Sequence, residues 1–216
     1  MIVYYLTNHT RQGLNIYKSI KMLTPDFSKP NITNIVSTVD LNCDLKLNEI
    51  SSKITNSTYN QKFKRVEIRI KEPKSIVFIY SKGKLICLGA KSIEDSEKTA
   101  RKYCNELKSL GYNTKFNDFK IVNIVATCDV KFPILLTKLK EKYQRLKTNN
   151  IILNYDPEIY PGLRIHLKNP EVALTIFGSG KINFTGAKKL EDIKKAFELL
   201  YPLIYKYKNK NNIKND

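Results

Sequence analysis

Val66, Ile68 and Ile70 alternate with Arg65, Glu67, Arg69 and Lys71, the period of two that marks a strand with one buried face. A matching alternation runs from Arg164 to Lys168. Lys71-Glu72-Pro73-Lys74 and Asn169-Pro170-Glu171 predict turns after these strands. Hairpins follow, with arms at Ser75 to Tyr80 and Lys84 to Leu88 in the first case. The period then lengthens. Ile93, Ala100, Tyr103, Cys104, Leu107 and Leu110 form the stripe of an amphipathic helix, with Ser92 as N-cap, Asp95 in the capping-box position and Gly111 as terminator. A second such helix carries Leu190, Ile193, Phe197, Leu200 and Ile204; Pro202 predicts a kink in it. β-rich runs open at Asn34-Ile35-Val36 and Asn123-Ile124-Val125, each followed by a helix region, at 47–56 and at 135–150, the second longer and very basic.

The pattern is duplicated. Ile79 to Lys91 and Ile176 to Lys188 both read aromatic, turn glycine, lysine, then Gly-Ala-Lys, 97 residues apart. Gly83 and Gly180 are the turn residues expected at positive φ. Each half therefore reads strand, helix, four-strand meander, helix, which predicts an α+β fold with an antiparallel sheet covered by helices on one face. Expected boundaries are 1–31 for an N-terminal extension, 32–118 and 119–208 for the repeats, and 209–216 for a basic tail. Leu14, Ile16, Tyr17, Ile20 and Leu23 could form a short helix in the extension, stopped by Pro25. Residues from 206 onward are expected to lack fixed structure.

The 216 residues carry a formal net charge of +18, which favours a polyanionic partner, nucleic acid before an anionic membrane. The bland alternative is a lysine-rich solvated surface inflated by a biased genome. The four cysteines form no C-x-x-C pair and there are two histidines, so neither a zinc site nor a disulfide framework is expected. No apolar run reaches the ~20 residues of a membrane helix, and the start is too short and too polar downstream for a signal peptide. Paired carboxylates, a nucleophile with its base, and a phosphate-cradling glycine loop are all lacking in a convincing frame. Neither enzymatic activity nor a cofactor is expected.

Counting by twos from the hairpin turns assigns the uncovered face. It receives Ile76, Phe78, Tyr80, Lys84, Ile86 and Leu88 in the first half, and Ala173, Thr175, Phe177, Lys181, Asn183 and Thr185 in the second. Arg65, Glu67, Arg69, Lys71, Arg164, His166 and Lys168 join them. An apolar patch ringed by cations suits a partner bearing phosphate.

Several segments are similar to the core of the TATA-box-binding protein family, across roughly residues 31–208. They include Asn34-Ile35-Val36-Ser37-Thr38-Val39, Ile70-Lys71-Glu72-Pro73, Gly89-Ala90-Lys91, Cys128-Asp129-Val130-Lys131-Phe132-Pro133-Ile134, Tyr160-Pro161-Gly162-Leu163 and Gly186-Ala187-Lys188. The resemblance implies a pseudo-symmetric two-repeat saddle, a curved ten-stranded antiparallel sheet with helices on its convex face. It implies a general transcription initiation factor that binds and bends promoter DNA through the minor groove. Phe63 with Tyr80, and Tyr160 with Phe177, match its aromatic wedges. Asn34 and Asn123 match its central groove donors, with Val36 and Val125 beside them. Arg69, Lys84, Lys91, Lys181 and Lys188 match phosphate contacts. Phe78, Ile86, Leu88, Arg164, Thr175, Asn183 and Thr185 complete the groove-facing set. Asp156, Glu158 and Ile159 match the loop that docks transcription factor IIB. The resemblance further implies IIA-like factors, RNA polymerase machinery, a monomer on DNA, and dimerisation without DNA as an open alternative. It implies a nucleus, or a viral factory in cytoplasm for a large DNA virus.

Departures from the family pattern predict a shifted or relaxed sequence preference. Tyr80 and Tyr160 replace phenylalanine, and a hydroxyl among bases needs a partner. Glu67 replaces an apolar groove residue, and its charge is expected to oppose DNA. Leu88 replaces a threonine that Thr185 keeps. His166 stands for an arginine and Glu171 for a base. The helix from Ser92 to Leu110 matches a regulator-binding helix, though Glu97, Asn105 and Ser109 dilute its basic character. The basic segment near Lys138 to Lys147 has no family counterpart and is expected away from the groove. The alternative to a DNA binder is a degenerate saddle that serves as a scaffold for initiation factors and holds DNA weakly.

Overall fold

A computed structural model describes residues 29–145 and 151–209, with backbone alone at 144 and 145. The expected helix at Leu14 to Leu23 lies outside the described residues. The strands are β1 (Asn31–Asp40), β2 (Ser57–Asn60), β3 (Arg65–Ile70), β4 (Ser75–Tyr80), β5 (Lys84–Ala90), β6 (Asn117–Asp129), β7 (Ile151–Asn154), β8 (Leu163–Lys168), β9 (Glu171–Ile176) and β10 (Lys181–Ala187). The helices are α1 (Leu47–Lys53), α2 (Ile93–Ser109), α3 (Leu136–Arg145) and α4 (Leu190–Lys206). Hydrogen bonding gives one ten-stranded sheet in the order β2-β3-β4-β5-β1-β6-β10-β9-β8-β7. The chain divides into two compact units, Ile32–Val125 and a second beginning at Ala126.

In the first unit, antiparallel pairing sets Arg65 opposite Tyr80 and Glu67 opposite Phe78. Val66, Ile68, Val77, Ile79, Leu85 and Cys87 point the other way and are buried. They share a core with Leu47 and Ile50 of α1 and with Ala100, Tyr103, Cys104 and Leu107 of α2. The alternation therefore does what the sequence predicts: apolar residues meet helices, and intervening residues stay half-buried or exposed. The Ser92 hydroxyl accepts from Asp95 N at 3.0 Å, which satisfies one free N–H of the first turn. The Ser37 and Ser96 hydroxyls bond across the core at 2.7 Å, so neither buried oxygen is orphaned.

The second unit repeats the scheme. Val172, Leu174, Ile176, Ile182 and Phe184 are buried, and Phe184 meets Phe197 of α4 edge-on with centroids 6.2 Å apart. The turn logic is duplicated too. Gly83 O accepts from Leu41 N, and Gly180 O accepts from Val130 N. Both glycines have positive φ, 81° and 94°, as expected. A Cβ at Gly180 would also strike Phe132 O. Asn34 and Asn123 are 89 positions apart, but Gly83 and Gly180 are 97 apart. Extra residues thus lie between β6 and the second hairpin. α3 has 10 residues where α1 has 7, and residues 146–150 of the basic segment lie outside the described residues.

One expectation changes. Residues 207–209 belong to the fold rather than to a structureless tail. Leu135 N donates to Tyr207 O at 3.0 Å and Asn209 N to Pro133 O at 2.8 Å, and Ile134 bridges Lys208. Residues 210–216 lie outside the described residues. Pro202 lies inside α4, which runs on to Lys206.

Candidate nucleic-acid interface

The face opposite the helices is built the same way in both units. In β1, Asn34 and Val36 are half-buried while their neighbours Ile35 and Ser37 are buried; in β6, Asn123 and Val125 alternate with buried Ile124 and Ala126. In β4 and β5, Phe78, Tyr80, Ile86 and Leu88 are half-buried, and Lys84 is exposed. In β9 and β10, Thr175 and Phe177 are half-buried, and Lys181, Asn183 and Thr185 are exposed. Arg69, Lys91, Arg164 and Lys188 are exposed as well. Among the described residues no helix covers the four wedge rings: Phe63 is 53% exposed, and Tyr80, Tyr160 and Phe177 are half-buried.

Asn34 is oriented by backbone. The register of β1 on β5 slips between Ile35 and Ser37, a bulge made by Gly89 at φ +96°. That geometry brings Gly89 N to 2.7 Å from Asn34 Oδ1. With its oxygen fixed as acceptor, the Asn34 amide turns its Nδ2 donors outward. A Cβ at Gly89 would press on Lys74 O at 3.0 Å, so the position requires glycine for space and for φ.

The two wedge pairs differ. In the second unit, Tyr160 and Phe177 touch edge-on at 6.2 Å. Gly162 makes the room: a Cβ there would lie 2.7 Å from Tyr160 Cε1, 2.7 Å from Thr175 Cγ2 and 3.2 Å from Phe177 Cε1. In the first unit the residue 97 positions earlier is Arg65. Its guanidinium lies 3.6 Å from the Phe78 centroid and 4.8 Å from that of Phe63, and Nη1 reaches the Tyr80 hydroxyl at 3.4 Å. An arginine thus stands where the other unit has direct ring contact.

Arg65 also changes the reading of Glu67. Its Nε and Nη2 lie 2.9 Å and 2.8 Å from Glu67 Oε1, and Asn60 Nδ2 donates to the same oxygen at 3.0 Å. The Arg65 hydrogen bond holds the Glu67 carboxyl below its usual range, against the opposing effect of burial. Glu67 is therefore an ionised but paired group, not the free opposing charge expected from sequence. Asn60 Oδ1 accepts from Phe63 N at 3.2 Å, which ties the wedge turn to this cluster. Sequence alternation puts Arg65 on the face but does not single out Arg65, Asn60, Gly89 or Gly162. The 97-residue offset, which pairs Arg65 with Gly162, is the signal that could have found two of them.

The remaining cations are simple. Lys188 is 3.8 Å from Glu171 across an exposed pair, which weakly occupies it. Asp156, Glu158 and Ile159 form an exposed turn, with Ile159 83% exposed. Asp156 O accepts from both Ile159 N and Tyr160 N, so one turn carries both the loop tip and a wedge. Lys140 Nζ of α3 donates to Tyr155 O at 2.9 Å, and Leu136, Leu139 and Tyr143 are buried. The described part of the basic segment is thus an amphipathic helix tied to the loop before Asp156.

The sequence model of the family described as transcription factor TFIID, or TATA-binding protein, matches residues 29–110 and 118–207. The chain belongs to the TATA-binding protein family. TATA-box-binding protein-like 1 of Entamoeba histolytica is 42% identical over 198 residues, 91% of this chain and 89% of that protein. TATA-box-binding protein 1 of Arabidopsis thaliana is 45% identical over 201 residues, 92% and 98% of the two chains. The solved structure of Methanococcus jannaschii TBP aligns with a TM-score of 0.70 at 32% identity, covering 83% of this chain and 99% of that one. The α+β, two-repeat, ten-stranded class expected from sequence is the one this member of the TATA-binding protein family has.

Proposed function

We propose that this protein is a general transcription initiation factor that binds promoter DNA in the minor groove. Phe63, Tyr80, Tyr160 and Phe177 act as wedges that unstack base steps, and unstacking costs a few kcal/mol per step, offset by apolar contact with the opened groove. Asn34 and Asn123 donate to groove acceptors beside Val36 and Val125. Phe78, Ile86, Leu88, Arg164, Thr175, Asn183 and Thr185 line the groove, and Arg69, Lys84, Lys91, Lys181 and Lys188 contact phosphates. Asp156, Glu158 and Ile159 dock a IIB-like factor, and IIA-like factors and RNA polymerase follow. The relatives above named TATA-box-binding proteins come from an amoeba and a plant, which supports action in the nucleus.

The observation that carries this reading is the repeated pair of rings, in direct contact in the second unit and bridged by Arg65 in the first, half-buried or exposed among the described residues on the apolar, cation-ringed face of a family member. The scaffold alternative drew on Glu67 as an unscreened negative charge and on the polar second half; the pairing with Arg65 removes the first support, while Thr175, Asn183 and Thr185 keep the second. Selection of bound sequences from random duplexes, followed by a bend measurement on the winners, tests the proposal. A bent, A·T-rich site that departs from a plain TATA consensus is the expected result. Binding without bending, or no selected duplex, would sink it.

A further inference from the structure

Glu67 and Arg164 occupy matching places. They are 97 positions apart, the hairpin offset, and their cross-strand partners Phe78 and Thr175 are 97 apart as well. At one repeat position the first unit therefore offers a carboxylate and the second a guanidinium. Their settings are equally unlike. Glu67 Oε1 is taken by Arg65 and Asn60, while Oε2 has no hydrogen-bond partner among the described residues. Arg164 stacks over Tyr160, 4.4 Å from the ring centroid, and its N–H groups have no hydrogen-bond acceptor among the described residues.

The minor groove presents acceptors at every base pair, A N3 and T O2 for A·T, and a single donor, the guanine N2 amino group. An arginine suits the acceptors. A carboxylate has only the guanine amino group to pair with, and repels everything else there. A carboxylate left free would be expelled from the groove by the phosphates. Here Arg65 cancels its charge and fixes its direction, and Asn60 ties it to the turn that carries Phe63.

We propose that Glu67 is a specificity residue that accepts a hydrogen bond from a guanine N2 amino group, so that the first unit takes a G·C pair where the second, through Arg164, takes A·T. Arg65 and Asn60 are positioning residues. The assignment rests on the DNA-binding reading and adds to it a direction: opposite chemistry at equivalent places orients a two-repeat protein on its site.

The test replaces guanine by inosine, which removes the N2 amino group and leaves the rest of the pair. Each G·C pair of a selected duplex is changed to I·C in turn, and binding by the full chain is measured at fixed salt. At one pair, inosine should weaken binding roughly tenfold, the size of a lost specific base contact. That loss should vanish in Glu67→Ile, which should bind the I·C or A·T duplex at least as well as the parent protein binds its G·C site. Glu67→Gln, which keeps the packing on Arg65, should show a reduced inosine effect, and guards against a folding defect in the isoleucine variant. Equal or tighter binding of inosine at every position would overturn the assignment, as would an inosine effect that persists in Glu67→Ile. Failure to select any duplex would instead overturn the DNA-binding reading, and this one with it.

Discussion

At Gly162 the missing side chain matters more than any present one. A methyl group there would overlap Tyr160 and Thr175 at 2.7 Å, and overpacking of this order forces side chains out of place. Gly162→Ala should lower DNA affinity about tenfold or more, the scale of one lost aromatic–base contact, with a near-parental melting temperature because the displaced ring faces outward. Titration of a fixed duplex alongside a thermal melt checks both. The cysteines give a second residue-scale outcome. Burial pushes the Cys87 and Cys128 thiols up to about 12, so little thiolate exists in the folded state near neutral pH. Cys43 is only half-buried. Alkylation at pH 8 followed by peptide mapping should label Cys43 well before Cys87 and Cys128, and unfolding should abolish the difference.

Among the elements, those with a clean period were legible from sequence. The β3 alternation and the α2 stripe with its Ser92 cap were both placed correctly, because burial on one side selects the residues directly. Ser92→Ala should cost ~1 kcal/mol, the usual worth of a cap, read from chemical denaturation. β2 and β7 were counted but not located. Ser57-Thr58-Tyr59-Asn60 and Ile151-Ile152-Leu153-Asn154 are too short to display a period, and they are strands only because β3 and β8 lie beside them. The stretch 207–209 was misread for a related reason. Its polar composition says nothing of main-chain bonds to Pro133 and Leu135. A chain ending at Lys206 should lose roughly 2–3 kcal/mol, on the order of 1 kcal/mol per bond removed, and melt several degrees lower.

For the molecule as a whole, the net charge of +18 and the repeat were legible at once, and the family with them. The Arg65–Glu67 pairing was not, because it depends on which strand lies against which and on where a long side chain settles. The charge leads to a bulk expectation. With ~8 phosphate contacts, duplex affinity should fall ~10³- to 10⁵-fold between 50 and 200 mM salt, measured by anisotropy titration; a flat response would leave the cations as mere solubilising surface. The bulge at Gly89 has a last consequence at this scale. A peptide N–H, not a side chain, grips the Asn34 oxygen, and an aspartate could be gripped equally well. Asn34→Asp would swap an outward amino group for oxygen while leaving the scaffold intact. The product would be a decoy: correctly shaped, still able to occupy protein partners, yet blind to the duplex.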